Sequence, residues 1–330
     1  MRVIQIARPG GPDTLELADQ PAPEPSAGQV SVTTTMIGVN FTDLFARVMA
    51  GDEPIVPGVE AAGVVASVGS GVTDLRPGQR VIAAPLWSLG AYAEQVVVDA
   101  SYVLPIPAGV SDAAAAAVTL NYGTAYAALH RCGRVQAGET VVIHAAAGGV
   151  GTAAVQLARL VPGTHLIGTA SAAKHGYLRD QGVHEAVDYH AADWEATIRS
   201  AHPDGVDLVL DGIGESGYSR SIGLLAYGGR VVGYGLASTM HDEHSAPAIE
   251  AAVSAPVSLE PFLTAGTGFI GCHLGVPPAL FRRWISHLLT LCEQGAISPH
   301  IDRVIPLAQA AEAHRYLHQR RNTGKVLLRP

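Results

Sequence analysis

The pattern of apolar and polar positions along the chain changes near residue 120. Before that point come short runs that alternate or are rich in β-branched residues, such as residues 30–35 and 90–98, which are typical of half-buried strands. Helical pattern is short there and confined to residues 42–48 and 111–117. The first third of the chain therefore predicts a mostly β domain.

After residue 120, apolar strand segments alternate with helical segments of about ten residues. The predicted strands are residues 140–145, 165–170, 186–189, 207–211 and 230–235, and the predicted helices are residues 149–160, 173–181, 193–201 and 217–225. This alternation indicates βαβ units and a parallel sheet, hence an α/β fold class. A further strand is expected from Phe269 to Leu274, a helix over 280–294 and a last strand over 325–328. Residues 237–262 predict a loop and one helix at a cleft rim.

Composition narrows the class of protein. Of 330 residues, 48% are hydrophobic and 15% are charged, so the chain can bury a large core without a disulfide or a metal. The net charge of −8, with no block of Lys or Arg, argues against a nucleic-acid partner or an anionic membrane surface. We expect no signal peptide and no membrane span, because the amino terminus turns polar at once and no run of about 18 apolar residues occurs. Cys132, Cys272 and Cys292 are far apart and predict structural thiols in a reducing, cytoplasmic setting.

A glycine-rich turn follows the predicted strand at 140–145 and leads directly into a helix. Aligned on G-x-G-x-x-G, the segment reads Ala146-x-Gly148-x-x-Gly151. Gly148 lets the backbone approach a pyrophosphate, and the helix N-terminus at Gly149 and Val150 offers free N–H groups. The turn therefore predicts a dinucleotide site; the alternative is a tight turn without a ligand.

The end of the second predicted strand distinguishes a site for NAD from a site for NADPH, and here it indicates NADPH. A site for NAD places an acid at the end of the second strand, but residues 169–174 contain none. Ser171 is a predicted N-cap, and Lys174, one of only two lysines, falls in the first helical turn, where a cation opposes the helix dipole. We interpret Lys174 as a partner of the 2′-phosphate of NADPH, with an exposed surface lysine as the alternative. Tyr189 either flanks the same phosphate or is an ordinary strand tyrosine.

Three segments carry a family resemblance, namely residues 39–43, 57–63 and 145–151. With them the chain resembles the medium-chain dehydrogenase/reductase superfamily, in its zinc-free quinone oxidoreductase branch. Residues 144–235, 271–275 and 299–328 are similar to homologues of the synaptic vesicle amine transport protein. The resemblance covers essentially the whole chain.

The resemblance implies a layout of two domains. Residues 1–120 and 266–330 would form a mostly β, GroES-like catalytic domain. Residues 121–265 would form a doubly wound Rossmann domain that binds the dinucleotide, with the active-site cleft between the two. Family members pair through the edge strand that corresponds to Phe269–Leu274, so a homodimer is expected.

The resemblance also bears on metal. Zinc enzymes of the superfamily carry Cys where this chain has Asn40 and His where it has Val59, and neither side chain here offers the thiolate or imidazole that catalytic zinc prefers. The segment His241-Asp242-Glu243-His244 has helical ligand spacing, but its polar surroundings favour a solvated loop. No metal is expected.

Several site residues are implied by family position alone. Asn40 would face the nicotinamide and the substrate, with a structural amide that ties down a loop as the alternative. The other cofactor contacts implied in this way are Thr124, Tyr234, Gly235, Phe269, Gly271 and Asn322. Asp43 and Arg47, four residues apart on a short helix, are more simply a local ion pair.

The expected activity is reduction of a quinone or an α,β-unsaturated carbonyl compound by NADPH. Phe45 stands where bacterial quinone reductases of the branch commonly carry Tyr, which puts simple quinones in doubt. The alternatives are a non-reductive cyclase or isomerase of specialised metabolism on the same scaffold, or a non-catalytic binding protein.

Overall fold

The computed structural model describes residues 1–51, 53–214, 218–240, 244–255 and 259–330. The chain divides into two compact units. The first contains Met1–Gly123 and Gly275–Pro330, together with residues 244–246. The second contains the other described residues between Thr124 and Leu274.

The described residues form fifteen strands and eleven α-helices. The strands are β1 Arg2–Ile6, β2 Leu15–Asp19, β3 Gln29–Val39, β4 Ala61–Val68, β5 Arg80–Ala83, β6 Gln95–Asp99, β7 Val103–Pro105, β8 Thr140–Ile143, β9 His165–Ala170, β10 Glu185–Asp188, β11 Val206–Asp211, β12 Leu225–Gly233, β13 Gly268–Gly271, β14 Ile301–Pro306 and β15 Lys325–Arg329. The α-helices are α1 Phe41–Val48, α2 Asp112–Ala117, α3 Gly123–Tyr126, α4 Gly149–Ala158, α5 His175–Asp180, α6 Trp194–Ala201, α7 Ser219–Ile222, α8 Ala246–Val253, α9 Glu260–Ala265, α10 Pro278–Glu293 and α11 Ala310–His318.

The first unit is built on a seven-stranded sheet. Its order is β14-β15-β3-β4-β5-β7, and β6 also pairs with β3, while β1 and β2 form a separate two-stranded sheet. All its pairs are antiparallel except β14 with β15. One face buries a valine-rich core that includes Val30, Val32, Val65, Val81 and Val96. The β-branched runs of the amino-terminal third thus form the predicted sheet, and the last strand of the chain lies beside β3.

The second unit is built on a six-stranded, fully parallel sheet. Its order is β10-β9-β8-β11-β12-β13, the 3-2-1-4-5-6 arrangement of a doubly wound dinucleotide-binding domain. The core of this unit includes one apolar residue from each of four neighbouring strands, packed with Trp194, the first residue of α6. The four are Val142, Ile167, Val209 and Val231. The predicted α/β fold class is confirmed.

Element boundaries differ from the sequence predictions where turns are tight. The helix predicted at 173–181 is a 3₁₀ turn, Ala172–Lys174, followed by α5. The helix predicted at 217–225 is shorter in the structure, where it is α7. Residue 217, the first of the predicted helix, lies outside the described residues. Within residues 237–262, predicted to hold one helix, α8 is complete and α9 begins. The segment 266–274, assigned by sequence to the catalytic domain, lies with the second unit because β13 pairs with β12.

Two further features bear on the sequence analysis. Among the described residues, no helix is both long enough and apolar enough to cross a bilayer. Cys132, Cys272 and Cys292 are all free thiols, and burial raises the pKa of the Cys272 and Cys292 thiols.

Candidate functional site

The carboxyl edge of the parallel sheet gathers most of the residues that the sequence singled out. In open α/β sheets, ligands bind at this edge where the strand order reverses, which here lies between β8 and β11. These residues are Gly148, Gly149 and Val150 after β8, Ser171 and Lys174 after β9, Tyr189 after β10, Tyr234 and Gly235 after β12, and Phe269 and Gly271 in β13.

The turn between β8 and α4 leaves a helix N-terminus without a side-chain cap. Gly148 is the N-cap residue, and Gly149 and Val150 open the helix. The first N–H groups of a helix have no partner inside it, and the positive end of the helix dipole lies there. This arrangement fits a phosphate group.

Close packing explains the glycine spacing of this turn. A Cβ on Gly151 would lie 2.3 Å from the Ala145 carbonyl oxygen and 2.6 Å from Ala146 Cα, so only glycine lets α4 approach the turn this closely. Ala145 itself has a φ of +50°, a left-handed conformation that is uncommon for a residue with a side chain. Such a conformation persists only where its surroundings fix it.

A buried hydrogen-bond network adjoins the turn, and sequence reasoning missed it. It reaches Ala145 through Thr169, whose hydroxyl oxygen accepts from the Ala145 N–H at 3.3 Å. Ser221 donates to Asp211 Oδ2 at 2.6 Å, so its oxygen accepts from His144 Nε2 at 3.1 Å. His144 Nδ1 then accepts from Thr169 Oγ1 at 3.0 Å. The network joins the carboxyl ends of β8, β9 and β11 to α7. A histidine and an aspartate at the ends of apolar strands were the signal in the sequence.

Ser171, Lys174 and Tyr189 follow two neighbouring strands. The last residues of β9 and β10 are register partners, so the chain leaves the sheet side by side at Ser171 and Tyr189. Ser171 holds the predicted N-cap position of the 3₁₀ turn, although its hydroxyl makes no cap hydrogen bond. Lys174 is half-buried and ends that turn directly before α5.

The residues after β12 pack against neighbouring loops of the same edge. Tyr218 donates from its hydroxyl to the Gly235 carbonyl at 2.8 Å, and its ring contacts Phe269 with centroids 4.9 Å apart. Burial, reinforced by the nearby Asp211 carboxylate, raises the pKa of Tyr234, which therefore stays a neutral hydroxyl. Gly271, by contrast, has open space where a Cβ would stand.

Besides Asn40, two predicted contact residues lie outside this edge of strand ends. Thr124 is a buried side chain of α3 in the second unit. Asn322 is buried in the first unit, in the turn before β15, where its amide donates to the Gly324 carbonyl at 2.9 Å.

A second polar cluster lies inside the first unit, around Asn40. The Lys325 ammonium lies 2.6 Å from Glu60 Oε1 and 2.5 Å from Asn40 Oδ1. Asn40 Nδ2 donates to the same Glu60 oxygen at 2.9 Å and, more weakly, to the Gly38 carbonyl at 3.4 Å. The other Glu60 oxygen accepts from the Leu120 N–H at 2.6 Å. The Asn40 amide is therefore fully engaged with the protein interior.

A directional chain of hydrogen bonds extends from the same place. The Arg47 guanidinium can only donate, so His314 Nδ1, at 3.1 Å, accepts and His314 Nε2 carries the proton. Nε2 then donates to the Tyr92 hydroxyl at 3.0 Å, and Tyr92 donates to Asp43 Oδ2 at 3.2 Å. The chain ends at Asn40, whose N–H donates to Asp43 Oδ2 at 2.8 Å.

Burial controls protonation in this chain. Burial, with the Arg47 charge beside it, lowers the pKa of His314 well below its usual value. Burial raises the pKa of Asp43 to about 7, against the hydrogen bond from Asn40 that lowers it. The expected ion pair between Asp43 and Arg47 is wrong, because the guanidinium instead contacts His314 and the Gly10 carbonyl.

The metal predictions concern two places. Asn40 and Val59, which stand at the two zinc-ligand positions, are both buried, and neither carries a thiolate, an imidazole or a carboxylate. The segment expected to be a solvated loop, His241-Asp242-Glu243-His244, lies outside the described residues except for His244.

Comparison with known proteins gives the class. Residues 26–108 match the alcohol dehydrogenase GroES-like domain, and residues 181–328 match the zinc-binding dehydrogenase domain. The chain is 38% identical over 353 residues to the human synaptic vesicle membrane protein VAT-1 homolog, an alignment that covers 100% of this chain and 86% of that protein. The chain therefore belongs to the medium-chain dehydrogenase/reductase superfamily, a superfamily of oxidoreductases, and is close to the VAT-1 homologues within it.

Solved structures agree on the fold. The quinone oxidoreductase of Escherichia coli, in complex with NADPH, superposes with a TM-score of 0.90 at 28% identity and covers 100% of both chains. A mycobacterial protein in complex with NADPH gives a TM-score of 0.89 at 30% identity, again over 100% of both chains.

Proposed function

We propose that this chain is a zinc-independent oxidoreductase that uses NADPH to reduce a quinone or an α,β-unsaturated carbonyl compound. The observation that carries the proposal is the carboxyl edge of the parallel sheet, where an uncapped helix N-terminus and a lysine follow adjacent strands. Two similar structures hold NADPH, which supports the same cofactor here.

The residues of this edge fit the two charged parts of the cofactor. The N–H groups of Gly149 and Val150 would bind the pyrophosphate, since a Gly148 side chain is absent and α4 starts there. Lys174 would pair with the 2′-phosphate, and Ser171 and Tyr189 would flank it, because all three follow β9 and β10. Tyr234, Gly235, Phe269 and Gly271 would lie along the rest of the edge.

The cofactor supplies hydride when bound, and the protein supplies orientation. We propose that Asn40 is the residue of the first unit that positions the reacting groups. Its amide is held by Lys325 and Glu60, so a direct hydrogen bond to a substrate oxygen requires one N–H to leave Glu60 or Gly38. Thr124 and Asn322 stay cofactor-contact predictions on family position.

Independence from zinc rests on the residues at the two ligand positions. Asn40 is tied into the buried polar cluster, and Val59 is buried and apolar. Neither supplies a thiolate or an imidazole, the ligands that complete catalytic zinc sites of this type. Activity unaffected by a strong chelator is the expected result.

We also propose a homodimer formed through β13. This strand is at the edge of the parallel sheet, and an apolar edge strand that stays bare invites association. Ile270 within it is 37% exposed. Light scattering at micromolar concentration measures the mass, and a monomer contradicts this assembly. A cytoplasmic location stays a prediction.

The decisive experiment follows NADPH consumption against a panel of quinones and enones. The proposed function predicts stoichiometric oxidation of NADPH with at least one of them, with a preference for enones because Phe45 replaces the commonly found tyrosine. Product formation without NADPH turnover would favour a cyclase or isomerase instead. Tight NADPH binding with neither turnover nor product across the panel would favour a binding protein.

A further inference from the structure

Three potential metal ligands meet at the amino-terminal ends of the parallel strands, at the opposite end of the sheet from the glycine-rich turn. His165 is the first residue of β9, Glu185 is the first residue of β10, and His202 directly follows the last residue of α6. The turn at Gly148 follows the carboxyl end of β8, so the cluster and the proposed dinucleotide site are at opposite ends of the strands.

Strand register explains why these side chains converge. Glu185 pairs with Ile167, which lies two residues after His165 on the same face of β9. That face is covered by α6, because Ile167 packs with Trp194 and Ile198. The carboxyl end of α6 therefore delivers His202 to the place where His165 and Glu185 begin their strands.

The geometry is that of a shared ligand set. Glu185 Oε1 lies 2.6 Å from His165 Nε2 and 3.0 Å from His202 Nε2, and the three ligand atoms all lie within 4.8 Å of one another. The side chains are 37%, 35% and 19% exposed for His165, Glu185 and His202, so solvent ions can reach them. Burial opposes ionisation of Glu185, but the hydrogen bonds from the two histidines outweigh it and lower its pKa.

A third histidine supports the cluster without joining it. The His184 ring stacks on His165 with centroids 4.8 Å apart. Its Nδ1 accepts from the Leu166 N–H at 2.9 Å, which fixes the His184 ring beside the cluster. His165 is thus held in place from one side by a ring whose own Nδ1 is already used.

We propose that His165, Glu185 and His202 bind a divalent transition-metal ion, with Zn²⁺ as the natural ion. Two imidazole nitrogens and one carboxylate oxygen suit Zn²⁺, whereas Mg²⁺ and Ca²⁺ prefer oxygen ligands alone. Ligands about 2.0–2.2 Å from one zinc ion lie roughly 3.3–3.6 Å apart in a tetrahedron. The contacts of 2.6 Å and 3.0 Å to Glu185 therefore lengthen on binding, and the two histidine ligand atoms, now within 4.8 Å of each other, adjust to the same spacing. Each Nε2 gives up its proton to solvent on binding, and water completes the coordination.

Such a metal would be structural rather than catalytic. It would link the first residues of β9 and β10 to the end of α6. These lie at the opposite ends of the strands from the proposed cofactor. The inference does not depend on the proposed function, because its test needs neither NADPH nor a substrate.

The test titrates tag-free, metal-stripped protein with Co²⁺ and with Zn²⁺. We expect one equivalent of Co²⁺ to give visible absorption bands, Zn²⁺ to displace it, and Zn²⁺ to raise the Tm. His202→Ala and Glu185→Gln are expected to weaken binding by more than about tenfold, since loss of even an outer-shell partner changes affinity by 10–100-fold. Circular dichroism and the Tm of metal-free protein check that both variants fold.

Two surface histidines provide matched controls, and they make the outcome decisive. His190→Ala and His244→Ala are expected to bind metal like the wild type. Absence of binding up to millimolar Zn²⁺ would overturn the proposal. So would equal affinity in His202→Ala and Glu185→Gln, or a loss confined to His244→Ala, which would place the ion elsewhere. If one cluster variant does not fold, the other decides.

Discussion

The Lys325 ammonium lies 2.6 Å from the Glu60 carboxylate, and both side chains are almost completely buried. This pair joins the first residue of β15 to the residue directly before β4, 265 positions away in the sequence. It also holds Asn40 between them, so the predicted site residue depends on an ion pair that the chain forms only after folding. The energetic cost of burying two charges is offset here by hydrogen bonds to nearly every polar atom involved.

Removing one partner of this pair should be strongly destabilising. Lys325→Met leaves Glu60 as an uncompensated buried charge, and we expect a loss of about 3–5 kcal/mol in the free energy of unfolding. The double variant Lys325→Met/Glu60→Gln should lose clearly less than the sum of the two single changes. Urea denaturation of the four proteins measures this cycle, and additive losses would mean that the two side chains do not interact.

Asn40→Ala should affect both stability and turnover. The change leaves Lys325 without one hydrogen-bond acceptor, and an unsatisfied buried group costs about 1–3 kcal/mol. If Asn40 positions the reacting groups, kcat should also fall by about 10²–10³-fold, the range for a lost polar stabiliser, while the Kd for NADPH changes little. Asn121→Ala is the matched control, because it removes only a weak 3.4 Å bond to the same Asn40 oxygen. Full activity of Asn40→Ala on a turned-over substrate would leave Asn40 a purely structural amide.

The parallel sheet could be predicted from the sequence because the signals that define it lie within short, continuous segments. Apolar runs separated by helical segments define βαβ units, and parallel strands then bring Gly148, Lys174 and Tyr189 to one edge. The cluster around Asn40 was different, because its partners depend on β15 lying beside β3. A rare lysine at the start of a buried strand was the available signal, yet nothing local named Glu60 as its partner.

The wrong ion pair has a related cause. Spacing of four on a helix favours contact between Asp43 and Arg47, but that rule holds for solvent-exposed helices. Here both side chains are fully buried, so each is directed by tertiary partners instead. His314 lies 267 positions from Arg47 in the sequence, beyond the reach of any spacing argument.

Lys174→Ala should reduce the preference for NADPH over NADH. A charge-assisted hydrogen bond to phosphate contributes about 1.5–3 kcal/mol, so we expect the ratio of the two Kd values to change by roughly 10- to 150-fold. Arg179→Ala is the matched control, since it removes one positive charge from an exposed position of α5. An unchanged ratio in Lys174→Ala, measured by fluorescence titration, would refute the 2′-phosphate assignment.

Gly151→Ala should disrupt the glycine-rich turn, because the new Cβ would overlap the Ala145 carbonyl at 2.3 Å. We expect a lower Tm and weaker binding of both dinucleotides, in contrast to the selective effect at Lys174. Gly176→Ala, on α5, has open space for its Cβ and should raise stability by about 0.5–1 kcal/mol through reduced backbone entropy of the unfolded chain. Wild-type binding and Tm in Gly151→Ala would show that the turn is not tightly packed.

His314 and Asp43, which are joined by hydrogen bonds through Tyr92, should have opposite effects on how stability depends on pH. The pKa of His314 is lowered in the folded state, by burial and by Arg47. Below its unfolded pKa of about 6.5 the unfolded chain therefore binds a proton that the folded one does not, and stability falls as pH falls. The pKa of Asp43 is raised from 3.8 to about 7, mainly by burial. Between these values the folded state holds a proton that the unfolded chain releases, so stability falls as pH rises.

Two variants separate these contributions. His314→Gln removes the loss on the acid side, so its stability at pH 5 relative to pH 7.5 should improve over the wild type. Asp43→Asn removes the loss on the alkaline side, so the same comparison should move the other way. Urea denaturation at pH 5, 6 and 7.5 measures both, with His190→Gln, an exposed histidine, as the control. Shifts of the same sign in the two variants would contradict a neutral His314 and a proton-holding Asp43, because only opposite displacements of the two pKa values give opposite slopes.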